Sequence, residues 1–155
     1  MDTIRIGLIS DTHGLLRPEA TQALQGVDHI IHAGDIGNSS ILEQLADIAP
    51  LIAVRGNNDF GAWADALPTE KTLELGGATL YVLHDVNELD LDLQAAGIQV
   101  VISGHSHSPL ISTQNGVLFV NPGSTGPRRF KLPVSLAFLE ITHGKAAAEL
   151  RIFDL

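Results

Sequence analysis

Apolar residues occur in short runs along the chain, and five of these runs end in the same kind of chemistry. Residues 4–10 lead into Asp11-Thr12-His13, and residues 29–33 lead into Gly34-Asp35. Residues 51–55 lead into Gly56-Asn57-Asn58-Asp59, and residues 80–83 into His84-Asp85. Residues 98–103 lead into Gly104-His105-Ser106-His107. Runs of this length read as buried strands. A glycine precedes the ligand-type residue in three of the five, which permits unusual φ and a close backbone approach.

The intervening segments supply the other elements. A helix is predicted over 17–25, with Pro18 and Glu19 in its first turn and Gly26 at its end. A strand over 27–33 follows, then a helix over 41–48 capped by Asn38-Ser39-Ser40, with Pro50 beyond it. With the strand at 51–54 this gives β-α-β-α-β, hence parallel strands and right-handed crossovers. Residues 58–68 read as irregular. The lone tryptophan there, Trp63, reads as ordinary packing, with a lid as the alternative. Residues 71–75 alternate, Gly76-Gly77 turns, and 78–83 completes a hairpin. A helix is expected over 87–96, closed by Gly97. Asn115-Gly116 joins a second hairpin, 110–113 with 117–120. Asn121-Pro122-Gly123-Ser124 is a tight loop, and His143-Gly144 joins a third hairpin, 134–141 with 146–153. A parallel first half and a hairpin-rich second half predict an α/β chain of mixed sheets. The expectation is one domain over 1–155, built as a four-layer α-β-β-α sandwich.

In open α/β sheets ligands bind outside the carboxyl ends of the strands. Five such ends carrying imidazoles, carboxylates and a carboxamide therefore predict one site. Its candidates are Asp11, His13, Asp35, Asn57, His84, His105 and His107. One ion would take four to six of these seven ligands. Seven with one shared carboxylate fit two ions a few ångströms apart. Imidazole mixed with carboxylate favours Mn, Fe, Co, Ni or Zn over Mg and Ca.

Composition narrows the reading. The 155 residues are 45% hydrophobic, enough for one globular core. No run of about 18 apolar residues marks a membrane span. The chain enters a strand pattern directly after Met1-Asp2-Thr3, without the shape of a signal peptide, so the expected location is the cytoplasm. There is no cysteine, which removes disulfides and thiolate ligands. A formal net charge of −9 argues against general nucleic-acid binding. It does not argue against a phosphate substrate, because bound divalent cations reverse the local field.

The set Asp11-x-His13, Gly34-Asp35, Gly56-Asn57-Asn58-Asp59, His84 and Gly104-His105-Ser106-His107 resembles the signature of the calcineurin-like metallophosphoesterases. Chain length and Asn121-Pro122-Gly123-Ser124 resemble the small bacterial and archaeal phosphodiesterases among them. The resemblance implies that Asp11, His13 and His107 hold a first ion and Asn57, His84 and His105 a second, with Asp35 bridging. It also implies that a bridging water or hydroxide attacks phosphorus in line, with manganese as the expected metal and a small phosphate ester as substrate.

Two positions depart from the family. Asn58 stands where most relatives have a histidine; it can donate to a phosphoryl oxygen but cannot shuttle a proton. Asp59 is expected to orient Asn58 from behind. His84-Asp85-Val86 replaces a common His-Gly-His, and the role of Asp85 is open. His32 reads as a satisfied core histidine, with support of the ligands as the alternative, and His29 and His143 read as surface residues. Arg128, Arg129 and Lys131 read as a solvated charge run, the alternative being substrate contact by Arg128 or Arg129 or contact with a neighbouring subunit. Arg55 is divided between packing and phosphate contact. Two other functions compete with the diesterase. One is a non-catalytic scaffold like the retromer subunit of this fold. The other is a monoesterase or nucleotide pyrophosphatase using the same metals. A homo-oligomer is the expected assembly.

Overall fold

The computed structural model describes residues 2–129 and 131–155; Met1 and Phe130 lie outside the described residues. Two five-stranded mixed sheets pack face to face. In the first sheet, β1 (Thr3–Ile9), β2 (His29–His32) and β3 (Leu51–Ala53) run parallel. The long hairpin β9 (Val134–Thr142) and β10 (Lys145–Phe153) extends that sheet antiparallel to β1. The second sheet has the order β4-β5-β6-β8-β7, from β4 (Glu70–Leu75), β5 (Ala78–Leu83), β6 (Val100–Ile102), β7 (Leu110–Gln114) and β8 (Val117–Asn121). Its three central strands are parallel, and the edge strands β4 and β7 are antiparallel to their neighbours.

Strand periodicity decides which side chain meets which layer. Ala137, Leu139 and Ile141 of β9 face the second sheet, while Leu136 and Phe138 face outward. The inter-sheet core joins Ile6, Leu8 and Ile31 to Leu80, Val82, Val100 and Ile102, all with no exposed surface. Burying a side chain of this size contributes roughly 1.5–3 kcal/mol. The outer face of the first sheet is covered by α1 (Pro18–Ala23) and α2 (Ser39–Ala46), through Ala20, Leu24, Ile41 and Leu45. Pro18 opens α1, and the Asn38 side chain caps α2 by accepting from Ile41 N–H at 3.3 Å. A four-residue helix, α3 (Ala62–Asp65), breaks the expected irregular stretch, and Trp63 packs against the same cluster.

The layered sandwich follows the expectation, but one helix does not. Residues 87–96 form no α-helix. A single 3-10 turn, Val86–Glu88, is followed by bends and turns. Asp85 Oδ1 accepts from Asn87 N–H at 3.0 Å and Asp92 Oδ1 from Ala95 N–H at 3.1 Å. Asp85 thereby caps only the 3-10 turn, and Asp92 takes an N–H that a continuous helix would give to Leu91 O. Leu89-Asp90-Leu91-Asp92-Leu93 also alternates with a period of two, which offers no helical stripe, although Leu89 and Leu93 still rest on the sheet. The outer layer of the second sheet is therefore thin.

Candidate metal centre

The carboxyl ends of β1, β2 and β3 meet those of β5 and β6 at one rim, and hydrogen bonds hold the loops there in place. Asp11 N–H donates to Gly34 O at 3.0 Å and His13 N–H to Asp35 O at 2.9 Å. Gly104 N–H donates to His84 O at 2.9 Å. Gly56 and Gly104 are required by closeness: a Cβ on Gly56 would collide with Asp35, and one on Gly104 with Ser10 and Asp11. Asp11, His13, Asp35, His105 and His107 all have φ between 45° and 71°. Non-glycine residues seldom adopt this left-handed region, and such strain concentrates at functional sites.

The ligand atoms fall into two groups, Asp11 with His13 and His107, and Asp35 with His84 and His105. Within each group the atoms lie within 4.8 Å of one another. His107 Nε2 is 3.4 Å and His13 Nε2 3.7 Å from Asp11 Oδ1. Asp35 Oδ2 stands 3.2 Å from His84 Nε2 in its own group and 3.6 Å from His13 Nε2 in the other, the position of a shared carboxylate. Asn57 Oδ1 is 3.2 Å from His105 Nδ1 and joins the second group. Four buried ligand-type atoms, Asp11 Oδ1, His13 Nε2, His84 Nε2 and His107 Nδ1, have no aligned hydrogen-bond partner among the described residues. Buried polar atoms are seldom left so, and a pocket of N and O donors that orphans four of them fits divalent cations.

The outer sides of these ligands are satisfied. His84 Nδ1 lies 2.8 Å from the Ala33 carbonyl, which can only accept, so the proton sits on Nδ1 and Nε2 faces the site. Asp11 Oδ2 accepts from Ser10 Oγ at 2.7 Å and from His105 N–H at 3.1 Å, leaving Oδ1 to the ligand group. Burial opposes ionisation of Asp35, yet His84 and the Asn58 donors override it and hold the carboxyl well below the usual range. Burial likewise opposes Asp11, but His13, Ser10 and the other imidazoles pull its pKa down. Asp11 raises the pKa of His13. His84 is raised as well, against its burial, by Asp35 and Asp11, whereas burial lowers His107.

Residues 4–144 match the model of the calcineurin-like phosphoesterase superfamily domain. The chain belongs to that superfamily. It is 39% identical over 140 residues to a probable metallophosphoesterase of Methanocaldococcus jannaschii, across 81% of this chain and 71% of the relative. The fold is shared with an archaeal phosphodiesterase at a TM-score of 0.79 and 22% identity, covering 96% of this chain and all of the other. It is shared equally with Vps29 of Chaetomium thermophilum, at a TM-score of 0.78 and 17% identity over 97% of each chain.

The positions where this superfamily member departs from the motif set are well placed. Asn58 holds Asp35 twice, its backbone N–H donating to Oδ1 at 2.8 Å and its Nδ2 to Oδ2 at 3.1 Å. Asp59 does not orient Asn58 through its side chain. Its buried carboxylate accepts from the N–H groups of Ile36 at 2.9 Å, Gly37 at 3.1 Å and Gly56 at 2.9 Å. It thereby clamps the Asp35 loop to the Asn57 loop. Asp85 Oδ2 is 3.8 Å from His105 Nε2, on the side of the ring away from Asn57. Arg128 sits apart from the ligands and donates to Leu155 O at 3.5 Å. The guanidinium whose charge acts on His13 and His107 is that of Arg129. Arg55 is occupied by Asp65 at 3.0 Å and by the Asp59 carbonyl at 3.1 Å.

His32 is a satisfied core residue. Gly34 N–H donates to its Nδ1 at 3.0 Å, and the Thr12 hydroxyl, which gives its own proton to Ile36 O, faces Nε2 at 3.0 Å. Nε2 must therefore carry the proton of a neutral ring, and burial pushes its pKa down to about 3. The role of the loop after β8 was not legible in the sequence. Ser124 Oγ donates to Asp11 O and Thr125 Oγ1 to Ser10 O, while Asn121 Nδ2 donates to Gly104 O. That loop braces the turns that carry Asp11 and His105; the run Asn121-Pro122-Gly123-Ser124 signalled a tight turn without showing what it held.

Proposed function

We propose that this chain is a binuclear metal-dependent phosphodiesterase. The observation that carries the reading is the pair of three-residue ligand groups with Asp35 Oδ2 within 3.6 Å of an imidazole from each. Asp11, His13 and His107 would hold one divalent cation, Asn57, His84 and His105 the other, and Asp35 would bridge. Manganese is the preferred ion, with iron, nickel, cobalt and zinc compatible with the same N and O donors. Such a pair of ions, when bound, supplies an acidified water as nucleophile and neutralises phosphate charge.

The chain's own groups do the rest. Asn58 spends one amide N–H on Asp35, and the other is left to donate to a phosphoryl oxygen. Asn58 carries no proton to a leaving group, so esters of acidic alcohols, which leave without help, are favoured. Clefts open on two sides of the ligand groups, one at His84 and Asn57 and one at His105, which suits a phosphate carrying two ester arms. The scaffold reading is disfavoured by the complete ligand set, since a protein used only for its surface has no need of five strained ligand residues.

The test is hydrolysis of bis(4-nitrophenyl) phosphate with manganese, alongside a monoester and a dinucleoside polyphosphate. The expected result is diesterase activity that chelation removes and manganese restores, two metal equivalents per chain, and loss of at least about a thousandfold in Asp35→Asn. Full activity in Asp35→Asn, or no hydrolysis of the diester by the manganese-loaded protein, refutes the assignment.

A further inference from the structure

The outer face of the second sheet has an opening that the helices close off on the first. Ser112 of β7 and Phe119 of β8 are partners across the ladder, and Leu110, two residues along β7, lies on the same face. Val86 and Leu89, from the segment that fails to form a helix, make the opposite wall. The space between is a cleft of about 470 Å³. Leu110 is 57% and Val86 37% exposed at its mouth, while Leu89 and Phe119 are half-buried within it.

One end of this cleft is formed by His105, which also belongs to the ligand group of Asp35 and His84. Inside it, Ser112 Oγ is buried and has no hydrogen-bond partner among the described residues. A buried hydroxyl left unpaired is unfavourable, and a ligand atom able to bond it would remove that penalty. The cleft beyond Asp85 differs in character. Of about 480 Å³, it runs from His84 and Asn57 between Arg55, Thr69, Glu70 and Glu88 and is lined mainly by polar and charged residues.

Resting on the phosphodiesterase reading above, we propose that the apolar cleft receives an aromatic ester arm of the substrate. A planar ring presents apolar faces to Phe119, Leu89 and Leu110, and a polar ring-edge atom to Ser112. The substrate class is thereby narrowed to aryl or nucleobase-bearing phosphodiesters, as against diesters of small polar alcohols.

Two phosphonates that cannot be hydrolysed test this on the manganese-loaded protein by calorimetry. Phenylphosphonate should bind at least about tenfold tighter than methylphosphonate, the difference coming from burial of the ring. In Leu110→Asp, an exposed position that tolerates the change, the preference should shrink below about threefold. Phe119→Ala should shrink it too, and Ile152→Asp, at an exposed position lining a different cleft, should keep it. Equal affinities in the parent protein, or an undiminished preference in both cleft variants, overturn the cleft assignment while leaving the diesterase intact. If neither phosphonate nor inorganic phosphate binds the loaded protein, the phosphoesterase reading itself fails and takes the cleft with it.

Discussion

The two ligand groups are built to different depths. Asp11 and His107 are buried and His13 is half-buried, whereas the second group ends in an exposed His105 and an exposed Asn57. The first group is gripped by its own chain: Ser10 on Asp11, and Ser124 and Thr125 on the backbone of residues 10 and 11. The second is assembled from four separate loops, those of Asp35, Asn57, His84 and His105, and depends on Asp59 to keep the first two together. Both clefts open beside the second group. The deep group is thus the more firmly braced, and the shallow one is the more open to the surface.

Three changes would break or sharpen that contrast. Asp59→Ala has the largest expected effect, because it strands three N–H donors around a buried carboxylate position. Urea unfolding should lose about 3 kcal/mol or more. Calorimetric titration with manganese should keep only the tighter binding step. Unchanged stability would show that the clamp is not what joins the loops. His105→Ala should act on metal alone. The weaker step should lose about 10- to 100-fold in affinity, with stability moving by no more than about 0.5 kcal/mol at this exposed position. Equal loss from both steps would mean the groups are not separable.

The effect of pH acts on both groups at once. His13 and His84 have raised pKa values and bind their protons more firmly than free imidazoles, but a metal ligand must be neutral. Manganese should therefore bind more tightly as pH rises from 6 to 8, by up to about tenfold per pH unit for each displaced proton. In the metal-free protein the sign reverses. The histidinium–carboxylate attractions stabilise the fold fully below about pH 6.5 and fade as pH climbs through the raised values. Affinity that does not change with pH over that window would contradict the proton competition.

Much of this was legible in the sequence. The short apolar runs, the alternation at 71–75 and the glycines before Asp35, Asn57 and His105 carry the strands and the rim. The seven donor residues are those the structure brings together. What escaped was set by contacts that the apolar runs do not display. The irregular course of 87–96 follows from Asp92 taking the Ala95 N–H and from leucines that alternate with a period of two, a pattern that does not favour the expected helix. Asp59 stands beside Asn58 in sequence but works on Ile36, Gly37 and Gly56, a contact created only when β2 and β3 lie side by side. Arg128 and Arg129 are adjacent and chemically alike, yet the first donates to Leu155 O while the charge of the second acts on His13 and His107.

The left-handed backbone at Asp11, His13, Asp35, His105 and His107 carries a consequence for how the protein would withstand heat. Each of these sites would be more comfortable as glycine, by up to about 1–2 kcal/mol apiece. An ancestor or designed variant relieved of its chemistry at His13 or His105 would melt later than the working protein. Stability and the placement of ligand side chains are thus set against each other at single residues.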